Sequence, residues 1–401
     1  MPLEAALLKP NDDVATALVD LAAGARVRVA SGEVVRDVAL VDAIATGHKF
    51  AVRDLSAGLR VRKYGECIGR LSRDVAAGAH VHDHNLETSA RRDPGDESAW
   101  TRQQALPARP LGTARTSVGE CPLFDARSNR LWWIDVRQTP AIHALDLASG
   151  DERRWPLEED IGAIALTGGT RLLAALRSGF AYFEPDDGRF TPLVDPEGDL
   201  PHNRMNDGRC DRAGRFWCGS MNPDSGRAEG SLYVLDAALR CHRVQGGYFT
   251  PNGIAWSLDD RTMYIADTRR GRIDAFDYDA DAGEIGARRT FADLGALPGG
   301  PDGACVDAEG LLWSAQFDGG CLIRYDAQGR MERVVRLPVT KPTSCAFGGR
   351  DYRELFVTTA TRGMSASQLA AEPLAGRVLV LDVGVAGLPP VPFAGRDAVH
   401  R

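Results

Sequence analysis

The chain contains no C-x-x-C pair. Its eight cysteines (67, 121, 210, 218, 241, 305, 321 and 345) are scattered through 401 residues, which excludes zinc-knuckle spacing and a dense disulfide framework and points to free thiols in a reducing compartment. No window approaches the roughly 18 uninterrupted apolar residues that a membrane helix needs. The opening stretch MPLEAALLKPNDDVATALVDLAAG has no basic region followed by an apolar run and a cleavage site. Basic residues are not in excess: 48 Lys and Arg stand against 55 Asp and Glu, a net charge of −7, so there is no electropositive footprint to gather nucleic-acid phosphates. The expectation is a cytoplasmic protein with neither a nucleic-acid nor a membrane partner. With 44% apolar and 26% charged residues, general disorder is excluded as well.

The length favours two units. The sharpest break is ETSARRDPGDESAWTRQQALPARP, rich in charge and proline and without apolar periodicity, which reads as a linker. The expected division is an N-terminal domain over 1–88, a linker over 89–112 and a larger domain over 113–401. In the first, a short motif recurs four times: Asp20-Leu-Ala-Ala-Gly24, Ala43-Ile-Ala-Thr-Gly47, Asp54-Leu-Ser-Ala-Gly58 and Asp74-Val-Ala-Ala-Gly78. Each copy ends in a glycine that permits a turn and is followed by a short alternating run, the pattern of a small turn-rich β domain.

Beyond the linker the period lengthens. Comparable points recur at Glu120, Ile161, Asn206, Asn252, Asp302 and Thr343, with gaps of 41, 45, 46, 50 and 42 residues, the length of one four-stranded propeller blade. The fold class expected is all-β, a six-bladed β-propeller preceded by the small β domain. Glu120, Asn206, Asn252 and Asp302 fall at the first strands of their blades, which line the central channel, so their side chains should converge on the axis. Oxygen ligands from Glu120, Asn252 and Asp302, two of them anionic, suit a hard divalent cation. Taken singly, Asn-Gly and Asp-Gly are ordinary turn sequences; turn chemistry does not account for four of them at blade spacing.

From about residue 113 onward the chain resembles the SMP-30/gluconolactonase/LRE family, the regucalcin-like sugar lactonases. The likeness is carried by Gly119-Glu120-Cys-Pro122, Arg204-Met-Asn-Asp-Gly208, Asp211-Arg-Ala-Gly-Arg215, Gly230-Ser-Leu-Tyr233, Pro251-Asn-Gly253, Pro301-Asp-Gly303, Phe347-Gly-Gly349 and Thr358-Thr-Ala360. It implies one divalent metal ion held by Glu120, Asn252 and Asp302, with Asp302 doubling as the catalytic carboxylate. It implies further that Arg204 and Asn206 contact the substrate. Asp224, three residues after Met221, stands where some members carry a substrate-contacting Glu, in a segment that also reads as a solvated turn.

The first domain has its own resemblance. Gly47-His-Lys-Phe-Ala51, Lys63-Tyr-Gly65 and His80-Val-His-Asp-His-Asn85 are similar to the SAF-type, β-clip N-terminal domain of the UxaA family of altronate and galactarate dehydratases, whose large catalytic part has no counterpart here. His80, His82 and His84 alternate, so a strand would put them on one face; a transition-metal site and a polar edge strand both fit, and their role is unassigned. The exposed edges of such a domain also offer a route to oligomerisation.

The activity this implies is hydrolysis of a sugar lactone, an aldono-1,4- or 1,5-lactone, to the sugar acid, in the manner of a gluconolactonase or arabinonolactonase. The cation acts as Lewis acid, Asp302 orients or deprotonates water, and Arg204 and Asn206 hold the sugar; metal-bound hydroxide is an alternative nucleophile. The sequence does not rank pentono- against hexonolactones, or Ca, Mg, Mn, Fe and Zn as the metal. Two other readings are a non-catalytic sugar-acid or divalent-cation-binding propeller and a strictosidine-synthase-like propeller; the second would not predict the acidic triad. Fusion to a dehydratase-type module associates the acid product with a later dehydration.

Overall fold

The four glycine-terminated repeats fold as two interlocked pairs. In the computed structural model, which describes residues 4–31, 34–87, 103–295 and 297–395, Leu21 bridges Ile44 and Leu55 bridges Val75. An aspartate of one copy caps the turn of its mate: Asp20 Oδ1 accepts the Thr46 amide, Asp54 Oδ1 that of Ala77 and Asp74 Oδ1 that of Ala57, at 2.7–2.9 Å. The closing glycines 24, 47, 58 and 78 all have φ of 80–82°, the left-handed region that glycine enters without a Cβ penalty. Between the turns run short strands, among them Val14–Ala17, Lys49–Ala51 and the hairpin of Arg26–Ser31 with Val34–Ala39. They enclose two small cores, one around Phe50 and one around Val61.

Of the expected linker, residues 89–102 lie outside the described residues. The rest of it, 103–112, is built into the larger unit. Gln104–Ala105 pairs in parallel with Met331–Arg336, and Arg109–Leu111 pairs antiparallel with Val378–Asp382. Proline and charge disguised these strands, since an outermost strand leaves one row of donors unused and so tolerates Pro110.

From Gly119 onward the described residues form six sheets. Their first strands are Gly119–Asp125, Ile161–Leu166, Arg204–Cys210, Pro251–Trp256, Gly300–Val306 and Pro342–Gly348, each followed by antiparallel neighbours. Each first strand packs on the next and the sixth packs on the first, a cyclic, propeller-like array. Arg109–Leu111, which precedes the first sheet, supplies the outermost strand of the last and so fastens the two ends of the chain together. Between the first and second strands of the third and fifth sheets an Asp-x5-Trp element repeats: Trp217 Nε1 donates to Asp211 at 3.0 Å and Trp313 Nε1 to Asp307 at 2.8 Å. Both tryptophans are fully buried, so the aspartate satisfies an indole donor that would otherwise be stranded.

The two ends of the array differ. Where the first strands finish, the C-terminal segment crosses the axis, the Phe393 amide donating to the Leu166 carbonyl and that of Ala394 to Gly214. A cavity of about 140 Å³, bordered by Leu388–Val391 and by Asp207 and Arg209, lies there. Where the first strands begin, the N-terminal unit is docked. Asp13, 1% exposed, accepts from Arg53 of its own unit and from Arg269 of the fourth sheet. Arg60 donates to the carbonyls of Leu297 and Gly299 at 2.9 and 2.7 Å, Arg70 pairs with Asp293 at 2.8 Å, and Phe249 enters the N-terminal core around Val61.

Removing Asp13 would leave two guanidinium groups facing each other in a desolvated interface. The variant Asp13→Ala is expected to lose about 3–5 kcal/mol and to split a single calorimetric unfolding transition into two. An unchanged single transition would show that the units are coupled elsewhere.

Candidate active site

The four polar motifs are not turns. Each lies within a first strand, at a β-bulge where two residues oppose one on the neighbouring strand. The register jumps between Glu120 and Leu123, Met205 and Gly208, Asn252 and Ala255, and Pro301 and Ala304. The remaining two first strands, starting at Ile161 and Pro342, skip a single residue. A bulge bends the strand and re-aims its side chains, and here it does so at the end of the channel under the N-terminal unit. The backbone requirement is explicit at Gly253, which has φ 59° and lies where a Cβ would stand 2.7 Å from the Asp302 carbonyl oxygen. The Asn-Gly and Asp-Gly pairs are therefore bulge sequences.

Glu120, Asn252 and Asp302 are brought to this end on three different sheets. Asp302 is buried, and its Oδ1 has no hydrogen-bond partner among the described residues. Burial first, then the negative charge of Asp207, pushes its carboxyl well above the usual carboxylate range. Burial likewise raises Glu120 well above that range, followed by the charges of Asp302 and Asp207. Facing acids that resist ionisation together call for a cation. Asn252 is oriented to help: its Nδ2 donates to Thr268 Oγ1 at 2.7 Å, which itself donates to the Pro301 carbonyl at 2.7 Å. Its Oδ1 thus faces inward, accepting from Asn206 Nδ2 at 2.7 Å with a second lone pair to spare. The orphaned Asp302 oxygen, the half-buried Glu120 and this amide oxygen form a donor set that suits a hard divalent ion completed by water.

Arg204 and Asn206 are buried beside the acids. Arg204 Nη1 donates to the Met205 carbonyl and to Asn206 Oδ1, both at 2.8 Å, and both hydrogens of Asn206 Nδ2 are taken by Asn252 and the Pro251 carbonyl. Asn206 is therefore the link that fixes Arg204 against Asn252. Arg204 Nε has no hydrogen bond among the described residues; its closest carboxylate is Asp160, at 3.9 Å. Burial lowers the Arg204 pKa to about 10, against the pull of Asp160. Asp224 is not brought into this centre. It sits exposed at the rim, its amide donating to Asn222 Oδ1 at 3.2 Å and its carbonyl accepting from Arg53 at 3.3 Å. Asp207 accepts the Ile254 amide at 3.2 Å, which ties the third and fourth first strands together behind the site. Sequence reasoning missed Asp160, which also pairs with Arg137 at 2.9 Å, and missed Arg362; both lie in connecting loops with no motif to mark them.

The histidines come together, but not along a strand. Only His80–Val81 is extended, and His82 to Asn85 form a turn closed by the Asn85 amide on the His82 carbonyl. The turn folds His82 and His84 to within 5.4 and 5.5 Å of the His80 ring, and His48, from Gly47-His-Lys49, joins them with Nδ1 2.9 Å from His80 Nε2. No set of three His, Cys, Asp or Glu side chains among the described residues is arranged to hold a metal.

Because Glu120 and Asp302 hold protons to higher pH than free carboxyls, a cation must displace those protons to bind. Calorimetric affinity for a divalent ion should fall as the pH is lowered from about 8 to about 5, with proton release on binding. Glu120→Ala or Asp302→Ala should weaken it at least about 100-fold. A pH-independent affinity, or one untouched by both variants, would contradict the ligand assignment.

The SMP-30/gluconolactonase/LRE-like region matches residues 118–361, and an altronate/galactarate dehydratase SAF domain matches residues 4–89. Regucalcin of Gallus gallus is 37% identical over 71% of this chain and 97% of its own length. A 6-deoxy-6-sulfogluconolactonase of Pseudomonas putida is 35% identical over 69% and 95%. The solved structure of a calcium-binding regucalcin from Agrobacterium tumefaciens superposes with a TM-score of 0.70 at 30% identity, covering 72% of this chain and 98% of that one. The chain belongs to the SMP-30/gluconolactonase/LRE family, with a dehydratase-type SAF domain at its N-terminal end.

Proposed function

We propose that the protein is a divalent-metal-dependent lactonase that opens an aldono-1,4- or 1,5-lactone to the sugar acid. The observation that carries the reading is the pair of carboxyls, Glu120 and Asp302, raised together at the end of the channel with an unpartnered Asp302 oxygen. Two names among the relatives support it: one is called a lactonase, and the bacterial regucalcin is described as calcium-binding. On this reading the six sheets are the blades of a six-bladed propeller, residues 1–88 a β-clip domain and 113–401 the propeller, which borrows two strands from the 89–112 segment. The free state of all eight cysteines supports a cytoplasmic location.

In the reaction water adds to the lactone carbonyl, the ring C–O bond breaks, and the ring oxygen takes a proton to become a hydroxyl. The products are a carboxylate and one released proton. A bound divalent ion would supply electrophilic activation of the carbonyl. Asp302, as the carboxylate with a free oxygen, takes the proton from the attacking water. Arg204 directs its Nε toward the sugar, held in place by Asn206 through the bond to Nη1. Asp224 at the rim contacts the far end of the substrate.

A pH-stat panel of lactones on metal-stripped protein with single metals added back should show proton release only with metal. Asp302→Asn should cut the rate by about 100- to 10,000-fold, while Arg204→Ala should raise KM and keep the metal. Full activity after complete chelation would refute metal dependence. Ligand binding with no proton release would favour a non-catalytic sugar-acid-binding protein instead.

A further inference from the structure

One residue of the N-terminal unit grips two segments of the array that lead to the acidic centre. Arg60, on Arg60–Lys63 and 8% exposed, donates from its guanidinium to the carbonyls of Leu297 and Gly299 at 2.9 and 2.7 Å. These residues stand directly ahead of Gly300–Val306, the strand that carries Asp302. The Arg60 amide donates to the Arg269 carbonyl at 3.2 Å, in the turn 268–271 that joins Thr262–Asp267 to Arg272–Asp279. The Arg60 stem packs on the same turn: a Cβ on Gly271, which has φ 65°, would lie 2.3 Å from Arg60 Cδ. Arg269 also carries the ion pair to Asp13 and donates to the Ser225 carbonyl at 2.6 Å.

The same two segments meet a second time inside the array. Thr268, the first residue of the turn, donates from Oγ1 to the Pro301 carbonyl and accepts from Asn252 Nδ2, both at 2.7 Å. Its own carbonyl oxygen lies 2.6 Å from where a Cβ on Gly300 would stand, and its amide donates to the Thr250 carbonyl at 3.0 Å. Arg60 and Thr268 are thus two clasps on one pair of segments. The guanidinium holds 297–299 against 269–271, and the hydroxyl ties Pro301 and the Asn252 side chain to the neighbouring residue of that turn. A planar guanidinium fork fixes two carbonyls at once, and its removal would leave both without that donor in a desolvated interface.

We propose that Arg60 is a positioning residue for the cation site. Through the turn 268–271 and the segment 297–301 it holds Asn252 and Asp302, which come from different sheets, at the separation that one divalent ion requires. The N-terminal unit is then a working part of the metal centre, with the Thr268 hydroxyl as the link between the docking contact and the ligands. The proposal rests on the metal-centre reading above and adds to it a role for the first domain. Groups that orient metal ligands without touching the ion typically change affinity by about 10- to 100-fold.

The test is calorimetric Mn²⁺ binding to the full chain. Arg60→Met, which keeps the apolar stem, and Thr268→Val, which removes only the hydroxyl, should each weaken binding by about tenfold or more. Thr268→Ser, which keeps the hydroxyl, should bind within about twofold of the wild type. The Arg60→Met/Thr268→Val double variant should depart from the product of the two single losses by about threefold or more, because both act on the same segments. Arg70 faces Arg60 on the neighbouring strand and pairs with Asp293 across the same interface; as a partly exposed ion pair it should tolerate Arg70→Gln within about twofold, which separates positioning from docking in general. Wild-type affinity in Arg60→Met or in Thr268→Val, or single losses that simply multiply, overturns the proposal. Where Arg60→Met does not fold, Arg60→Lys takes its place, since a single ammonium is no planar fork: a loss of about threefold or more supports the proposal and wild-type affinity overturns it. A wild type that binds no Mn²⁺ removes the metal-centre reading and the proposal with it, whereas binding that Glu120→Ala weakens and Arg60→Met does not removes the proposal alone.

Discussion

Two carboxyls that disfavour each other's ionisation, Glu120 and Asp302, sit at one end of a channel formed by six first strands. Such an arrangement is costly in a folded protein unless a cation compensates it. Much of the surrounding structure reads as its support. Bulges at four first strands point Glu120, Asn206, Asn252 and Asp302 toward one region. The Asn206–Asn252–Thr268–Pro301 chain of hydrogen bonds fixes the Asn252 amide. The strand Arg109–Leu111 closes the ring, without which the facing strands could drift apart.

The N-terminal unit is docked at that end of the channel. It is joined to the array through Asp13, shared between Arg53 and Arg269, and through Arg60 and Phe249. These contacts involve the third, fourth and fifth sheets, and Asn11 extends them to the sixth. A module that matches a dehydratase-associated family is therefore joined to the lactonase-family array at the end where the first strands begin. The segment bearing Asp224 is braced between the two.

The sequence was most readable where function repeats with the fold. Six comparable positions at blade spacing led to the six first strands, and the acids and amides among them stood out because the repeat gave each a structural address. The nature of the motifs was less readable, since Asn-Gly and Asp-Gly serve turns and bulges equally and only strand register separates the two. What escaped were relations across long sequence separations with no local signature. Arg109–Leu111 pairs with residues some 270 positions later, inside a stretch whose proline and charge imitate a linker. His48 joins the His80 cluster through a turn, where period-two reasoning had assumed a strand. Asp13 meets Arg269 only because two units dock.

The most direct measurement is anomalous X-ray diffraction from crystals grown with Mn²⁺. One strong peak is predicted within about 2.0–2.6 Å of carboxylate oxygens of Glu120 and Asp302 and of Asn252 Oδ1. A fully occupied peak elsewhere, with none between these three side chains, would contradict the account.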